Sequence, residues 1–448
     1  MMAETRPNIL YLHSHDTGRY VQPYGYGVQT PNYQRIADEG LVFRHAHSAA
    51  PTCSPSRAAL LTGQSPHSAG MLGLAHRGFR LTDPSQHLAR VLHDAGYDTA
   101  LCGVQHVTVG DPRTLGYARA HGGERPIGDI TTSAIEEIHN VASSPAPWFL
   151  DVGFVETHRV FPETSDDGRY LRPPAPLPDT AATRRDMAGF HASVRALDRA
   201  IGAILDALDD TGQTNRTIVL LTTDHGVAFP MMKGTLTDHG TGVLLILRYP
   251  GVIPAGEVTD ALVSQIDLFP TLCDLAGIAH PDWLQGHSLM PVFADPTAEI
   301  NDEIHAEVSY HAAYEPQRAV RTKRWTWIQR FGNRIRPVLP NTDDSPSRDE
   351  LLSYGWADRE MAPEQLYDAI FDPMEVRNVA SDPDRQGIVE EMKNRLHQWM
   401  TATNDPLLAG PIPLPPGGMV NDPDARSAND ALWRMTSDGS LEQIPERH

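Results

Sequence analysis

Four apolar runs rich in β-branched and aromatic residues punctuate the first half of the chain, at residues 8–12, 99–102, 148–152 and 217–221. They are continuously hydrophobic, as strands covered on both faces of a mainly parallel sheet are. Helical periodicity lies between them: residues 86–95 place Leu88, Val91, Leu92 and Ala95 on one face, and residues 187–208 repeat the pattern. Such alternation predicts an α/β fold. Residues 243–247 read as a fifth strand of this sheet, 262–275 as a helix kinked or split by Pro270, and 304–308 as a last strand. From about Arg318 the pattern changes, and residues 319–328 alternate at a period of two, as a half-exposed antiparallel strand does. A polar loop at 341–349 follows, then a helix over 384–400 with Ile388, Met392, Leu396 and Trp399 inward. The expected organisation is a large α/β domain over 1–315, an α+β subdomain with an antiparallel sheet over 316–404, and a Pro/Gly-rich tail over 405–448 that wraps the surface or moves.

Composition narrows the function. With 448 residues, 40% of them hydrophobic, the chain can bury a large core, and its net charge of −20 disfavours nucleic acid or an anionic membrane as partner. An anionic substrate would therefore have to be held by local cations. No apolar run is long enough to span a bilayer, and residues 1–7 lead into the first strand without a signal-peptide core, so a cytoplasmic location is expected. Three cysteines make no disulfide framework, and Cys102 and Cys273 fall in apolar segments as small core residues.

Chemistry enters at the strand ends, because open α/β sheets bind ligands beyond the carboxyl ends of their strands. His13, His15 and Asp16 follow the first run, His106 the second, Glu156 and His158 the third, and Asp224 and His225 the fourth. Each alone is ordinary. Four in one topological position predict a metal or proton-transfer site on one sheet edge.

The stretch Pro51-Thr52-Cys53-Ser54-Pro55-Ser56-Arg57-Ala58-Ala59-Leu60-Leu61-Thr62-Gly63 adds a reactive atom. Thr52 is suited to cap a helix whose first turn tolerates Pro55. Cys53 then sits at the positive helix end, with a thiol pKa expected to be lowered there, and Arg57 lies one turn up the same face. Thiol, dipole and guanidinium converge as in an anion site.

This Cys-x-Pro-x-Arg spacing and its Ala-Ala-Leu-Leu-Thr-Gly continuation resemble the type I, formylglycine-dependent sulfatases of the alkaline-phosphatase-like superfamily. Thr222-Thr223-Asp224-His225-Gly226 is similar to their second metal motif, Lys233-Gly234-Thr235-Leu236 to their sulfate-binding lysine segment, and Leu366-Tyr367-Asp368 with Asn378-Val379-Ala380 to their C-terminal signature. Within the family the chain looks most like the sulfamidase-like and bacterial carbohydrate sulfatases. The resemblance implies that a formylglycine-generating enzyme oxidises Cys53 and that the hydrated aldehyde attacks sulfur. Arg57 would hold the diol, His106 would take the proton of its second hydroxyl, and Lys233 and His158 would bind sulfate and protonate the leaving group. His15, Asp16, Asp224 and His225 would hold a divalent metal, calcium first, with manganese or zinc open because two imidazoles soften the set. If His15 is a ligand, metal occupancy is expected to weaken below about pH 6. The chain departs from the family at Val104, where a lysine is usual; Arg19, His76, Arg77 and Arg318 are candidates to replace that cation, and His311 is a further substrate-binding candidate. The implied activity is hydrolysis of a sulfate ester or sulfamate of a carbohydrate or similar small molecule, the alternative being a phosphonate monoester or phosphodiester hydrolase of the same superfamily.

Overall fold

The computed structural model describes residues 6–166 and 168–444. The main sheet contains β1 (Asn8–Ser14), β2 (Leu41–His47), β3 (Asp98–Gly103), β4 (Arg119–Gly122), β5 (Trp148–Gly153), β6 (Thr217–Thr223), β7 (Leu245–Arg248) and β8 (Glu257–Ser264). Their order is β4-β3-β5-β1-β6-β7-β2-β8, with β7 antiparallel to both neighbours and the other pairings parallel. The four apolar runs are β1, β3, β5 and β6. Their hydrophobicity is continuous because successive side chains enter opposite cores: Ile9, Tyr11, Phe149 and Leu220 on one face, Leu10, Leu12, Leu150 and Leu221 on the other.

The helix Cys53–Thr62 is wholly buried, with Leu60 and Leu61 in the first core. The helix Ala181–Asp210 covers the second core through Phe190, Val194, Leu197, Ile201 and Leu208. Register then fixes the site edge. His13 lies opposite both Gly153 and Thr222, and Gly103 opposite Gly153, so β1, β3, β5 and β6 end level. Gly153 is required there, since a Cβ would meet the Val104 carbonyl oxygen at 2.0 Å and the His13 ring at 2.5 Å.

Several sequence expectations change. Residues 304–308 belong not to the main sheet but to a second, antiparallel one of order β12-β11-β10-β9, built from β9 (Ile304–Tyr310), β10 (Tyr314–Arg321), β11 (Trp325–Arg330) and β12 (Glu364–Asp368). Residues 262–264 finish β8, and Pro270 stands in the first turn of the helix Leu268–Ala276, where its missing N–H needs no partner, instead of in the middle of a longer helix. The tail forms a three-stranded antiparallel sheet, β13 (Met419–Asn421), β14 (Leu432–Met435) and β15 (Leu441–Gln443). Residues 1–5, part of the segment behind the compartment expectation, lie outside the described residues. Among the described residues, no helix is long and apolar enough to cross a membrane, and the three cysteines are free and buried.

One buried histidine makes stability depend on pH. His87 is fully buried, its Nδ1 accepts the Ala89 N–H at the start of the helix Leu88–Asp94, and burial pushes its pKa down to about 4. Unfolding restores a value near 6.5, so the unfolded state takes the proton first and stability falls as pH drops from about 6.5 towards 4. At pH 5 this site alone should remove about 2 kcal/mol relative to pH 7. His87→Asn, which keeps a capping oxygen, should lose about that much less between the two pH values in urea titrations; an unchanged difference would show that the ring does not titrate on unfolding.

Candidate active site

Loops leaving the four level strand ends are laced together by their backbones. The His15 N–H donates to the Glu156 carbonyl at 3.0 Å, the Thr157 N–H returns to the His15 carbonyl at 2.7 Å, and the Gly18 N–H donates to His225 at 3.0 Å. Gly234 N–H donates to the Pro51 carbonyl at 3.0 Å, tying the Lys233 segment to the Cys53 segment. Asp16 and His106 have positive φ of 50° and 52°, a conformation that non-glycine residues adopt at energetic expense and that concentrates at functional sites.

Here His15, Asp16, Cys53 and Asp224 each offer a ligand atom, all within 4.8 Å of one another and all buried. Asp224 is oriented on both sides. Its Oδ1 accepts the backbone N–H groups of Asp16 and His225, each at 2.9 Å, while Oδ2 faces Arg57 Nη2 at 3.1 Å and His15 Nδ1 at 3.2 Å. Burial opposes its charge, but His225, Arg57 and His15 together hold its pKa well below the carboxylate range. Asp16 divides its oxygens: Oδ2 accepts from Lys233 Nζ at 2.9 Å, and Oδ1 lies 3.2 Å from His225 Nε2. His225 Nδ1 donates to the Gly226 carbonyl at 3.0 Å, which leaves Nε2 as the lone-pair nitrogen, 3.4 Å from Cys53 Sγ.

Both ring nitrogens of His15 and Oδ1 of Asp16 are buried without a hydrogen-bond partner. Unsatisfied donor atoms facing one another across a few ångströms fit a cation between them, so His15, Asp16, Asp224 and His225 suit a divalent metal. Burial and the Arg57 charge hold the pKa of His15 well below its ordinary value, against the pull of Asp224. The expected threshold near pH 6 therefore moves to lower pH, because the imidazole stays neutral further into acid.

The other predicted catalytic groups surround this cluster. The His15 ring packs against those of His106 and His158, at 4.6 and 5.7 Å between centroids. Burial, with Arg57 next, pushes His106 down to about 3. His158 Nδ1 donates to the Arg159 carbonyl at 2.7 Å, which turns Nε2 to Lys233 Nζ at 3.3 Å. Thr52 stands at the helix start, but its hydroxyl caps nothing. The lowered thiol pKa is overturned: burial, followed by Asp224 and Asp16 against Lys233 and Arg57, pushes Cys53 well above the usual thiol range.

Substrate-binding candidates divide sharply. Arg318 is fully buried in ion pairs with Glu307 (3.0 Å) and Asp405 (2.5 Å), so it is a scaffold residue and not a substrate ligand. Its guanidinium also fills the space among His67, Glu307 and Asp405, a second metal-like grouping. Arg19 is likewise committed, with Nη1 on Asp238 at 2.9 and 3.0 Å and Nη2 on the Ala46 carbonyl at 2.7 Å. His76 lines a cavity of about 1080 Å³ together with Ser54, Val104, Gln105 and His106. His311 is buried with its Nδ1 unpartnered and is pushed down to about 3 by burial, then by Lys233. Arg77 is buried, donating from Nη1 to the Ala312 carbonyl and Asn421 Oδ1.

Two groups escaped the sequence reading. Asp343, inside the polar loop, lies 3.2 Å from Lys233 Nζ and gives that buried ammonium a second carboxylate. Asp151 sits in mid-strand of β5, where His13 Nε2 approaches Oδ1 at 2.7 Å and the Tyr117 hydroxyl donates to Oδ2 at 2.5 Å. Arg57 Nη1 donates to His13 Nδ1, so His13, instead of serving the metal, links Asp151 to Arg57. A charged residue inside an apolar run was the available signal. His13→Leu should cut kcat by roughly 10- to 100-fold, as loss of an orienting partner does. His13→Gln, able to accept from Arg57 and donate to Asp151, should restore most of it, and in an Arg57→Ala background His13→Leu should add no further loss.

Comparison with known proteins agrees with this geometry. The Sulfatase family model matches residues 7–278, and the model "N-sulphoglucosamine sulphohydrolase, C-terminal" matches residues 232–339. The chain is 28% identical over 472 residues to human N-sulphoglucosamine sulphohydrolase, covering 92% of this chain and 93% of that protein. It is 27% identical over 469 residues to an ulvan-active sulfatase of Formosa agariphila, covering 89% and 76%. Among solved structures, a 2-O GAG sulfatase superposes with TM-score 0.73 at 22% identity, covering 90% and 94% of the two chains. A protein in complex with its substrate D-glucosamine-2-N,6-O-disulfate gives 0.71 at 20% identity, covering 89% and 98%. The chain belongs to the sulfatase family.

Proposed function

We propose that this protein is a sulfuric ester hydrolase that removes sulfate from a sulfated carbohydrate, using formylglycine made from Cys53 by a formylglycine-generating enzyme. The supporting observation is the placement of Cys53 at a buried helix start within 4.8 Å of donor atoms from His15, Asp16 and Asp224. Its relatives act on ulvan or on glycosaminoglycan sugars, as their names state. Three free, buried cysteines suit a reducing compartment, and we place the enzyme in the cytoplasm.

A divalent cation bound by His15, Asp16, Asp224 and His225 would supply positive charge beside the nucleophile and the transferred sulfate. The hydrated aldehyde would supply one hydroxyl to take the sulfur and a second whose deprotonation returns the aldehyde. Arg57, held by Asp224 and His13, orients that group. Lys233 neutralises sulfate charge and, with its Nζ 3.3 Å from Nε2 of the third-exposed His158, forms with it the pair that supplies the proton to the departing sugar oxygen. His106, neutral at working pH, accepts the proton that releases sulfate.

The test is a side-by-side assay of 4-nitrophenyl sulfate, defined sulfated saccharides and phenyl phosphonate. Sulfate substrates should be preferred, and a preference for the phosphonate would move the protein to the alternative hydrolase class. Chelation should abolish turnover. Adding back calcium, manganese or zinc separately identifies the cation, and activity that survives complete metal removal would overturn the metal part of the reading.

A further inference from the structure

Six arginines are buried among the described residues: Arg57, Arg77, Arg248, Arg318, Arg321 and Arg348. Five of them face a carboxylate, namely Asp224, Glu39, Glu307 with Asp405, Glu375 and Asp344. Arg77 is the exception. Its Nη1 donates to the Ala312 carbonyl at 3.1 Å and to Asn421 Oδ1 at 2.9 Å, which uses both hydrogens of that nitrogen. Nε is buried without a partner, and Nη2 makes no hydrogen bond among the described residues. The unused Nε–Nη2 edge is the fork that matches two oxygens of a carboxylate or sulfate. A guanidinium taken out of water with no counter-charge is disfavoured unless a ligand completes it.

The position of this fork ties it to the reaction. The turn Ala75–Arg77 is pinned to the residue after the nucleophile, since the Ala75 N–H donates to Ser54 Oγ at 3.0 Å. On its other side Arg77 holds Ala312, next to His311, at the tip between β9 and β10. His76, the neighbour of Arg77, lines the cavity that contains His106. Burial first, and after it nearby positive charges that include Arg77, lower the pKa of both His76 and His311. Arg77 thus lies between the segment that follows Cys53 and the segment that carries His311, next to a residue that lines the cavity containing His106.

We propose that the Nε–Nη2 edge of Arg77 binds a second oxyanion of the substrate, so that the enzyme selects a saccharide carrying a carboxylate or another sulfate besides the one it removes. The inference rests on the sulfatase reading and deepens it to acidic saccharides. The binding step needs no co-reactant; the fork donates two N–H groups to the oxyanion.

The experiment takes one uronate-containing sulfated disaccharide that the wild-type holoenzyme hydrolyses and assays it as the free acid, as the carboxyl methyl ester and as a disulfated analogue. In the wild type, kcat/KM for the ester should fall by roughly 10- to 100-fold, mainly through KM, as loss of a charge-assisted bidentate contact requires. If the disulfated analogue of the ester regains the loss, the fork takes sulfate; if only the free acid is accepted, it takes carboxylate. Arg77→Gln, and Arg77→Lys if the first does not fold, should shrink the acid-to-ester ratio towards one. Equal rates for acid, ester and disulfated forms in the wild type would overturn the proposal while leaving the sulfatase reading intact. Failure to hydrolyse any sulfate ester would instead overturn that reading. A ratio untouched by either variant, with the preference present, would assign the second oxyanion to another cation.

Discussion

Cys53→Ala should leave the fold in place and reduce hydrolysis of every sulfate substrate to background. The side chain is 5% exposed, and its hydrogen-bond partner is His225 Nε2 at 3.4 Å. Deleting a single heavy atom there should change stability by only about 1 kcal/mol. The chemistry is another matter. A thiol in this pocket is held protonated, because burial and the Asp224 and Asp16 charges outweigh Lys233 and Arg57. Unmodified Cys53 is therefore expected to be a poor nucleophile at neutral pH, in keeping with the proposed aldehyde route. Peptide mass spectrometry of active preparations should find the thiol converted to aldehyde or its hydrate, with specific activity proportional to the converted fraction. Full turnover from protein carrying only the thiol would sink the mechanism.

Asp224→Asn is expected to be nearly as damaging although the shape is conserved. The amide oxygen in place of Oδ1 would keep the two backbone N–H groups, but an NH₂ would replace the oxygen that faces Arg57 at 3.1 Å and His15 at 3.2 Å. Three donors would then converge where one negative charge had balanced them. Arg57 would lose its carboxylate while fully buried, destabilising the protein by about 3 kcal/mol. Turnover should fall by about 10³-fold, since both the cation site and the orienting guanidinium are disturbed. Metal content, melting temperature and kcat measured on one preparation separate these effects. Retention of metal and of activity within tenfold would show that Asp224 serves the fold alone.

Local patterns carried much of this site. His15, Asp16, His106, His158, Asp224 and His225 were legible because each follows an apolar run directly, and a parallel sheet with level ends must bring such positions together. Cys53 and Arg57 were legible because a helix start and a spacing of four residues need nothing distant. What was misread lay in pairings between remote segments. Residues 304–308 look like another buried strand, and only their pairing with β10 shows that they belong to the second sheet. Arg318 and Arg19 resemble free cations in sequence because Asp405 and Asp238 lie 87 and 219 residues away.

The sequence by itself determined the four level strands, the helix start at Cys53, the direction in which the strand ends point and hence the set of groups gathered around Cys53. Periodicity and spacing are local properties that neighbouring residues impose on one another. Tertiary structure alone decided which charges are satisfied. It gave Lys233 both Asp16 and Asp343, set His13 between Arg57 and Asp151, raised the Cys53 thiol that a helix end should have lowered, and left Arg77 with an unpartnered Nε and no carboxylate among the described residues. Desolvation and ion pairing depend on what the rest of the chain packs against each group, and no local pattern encodes that.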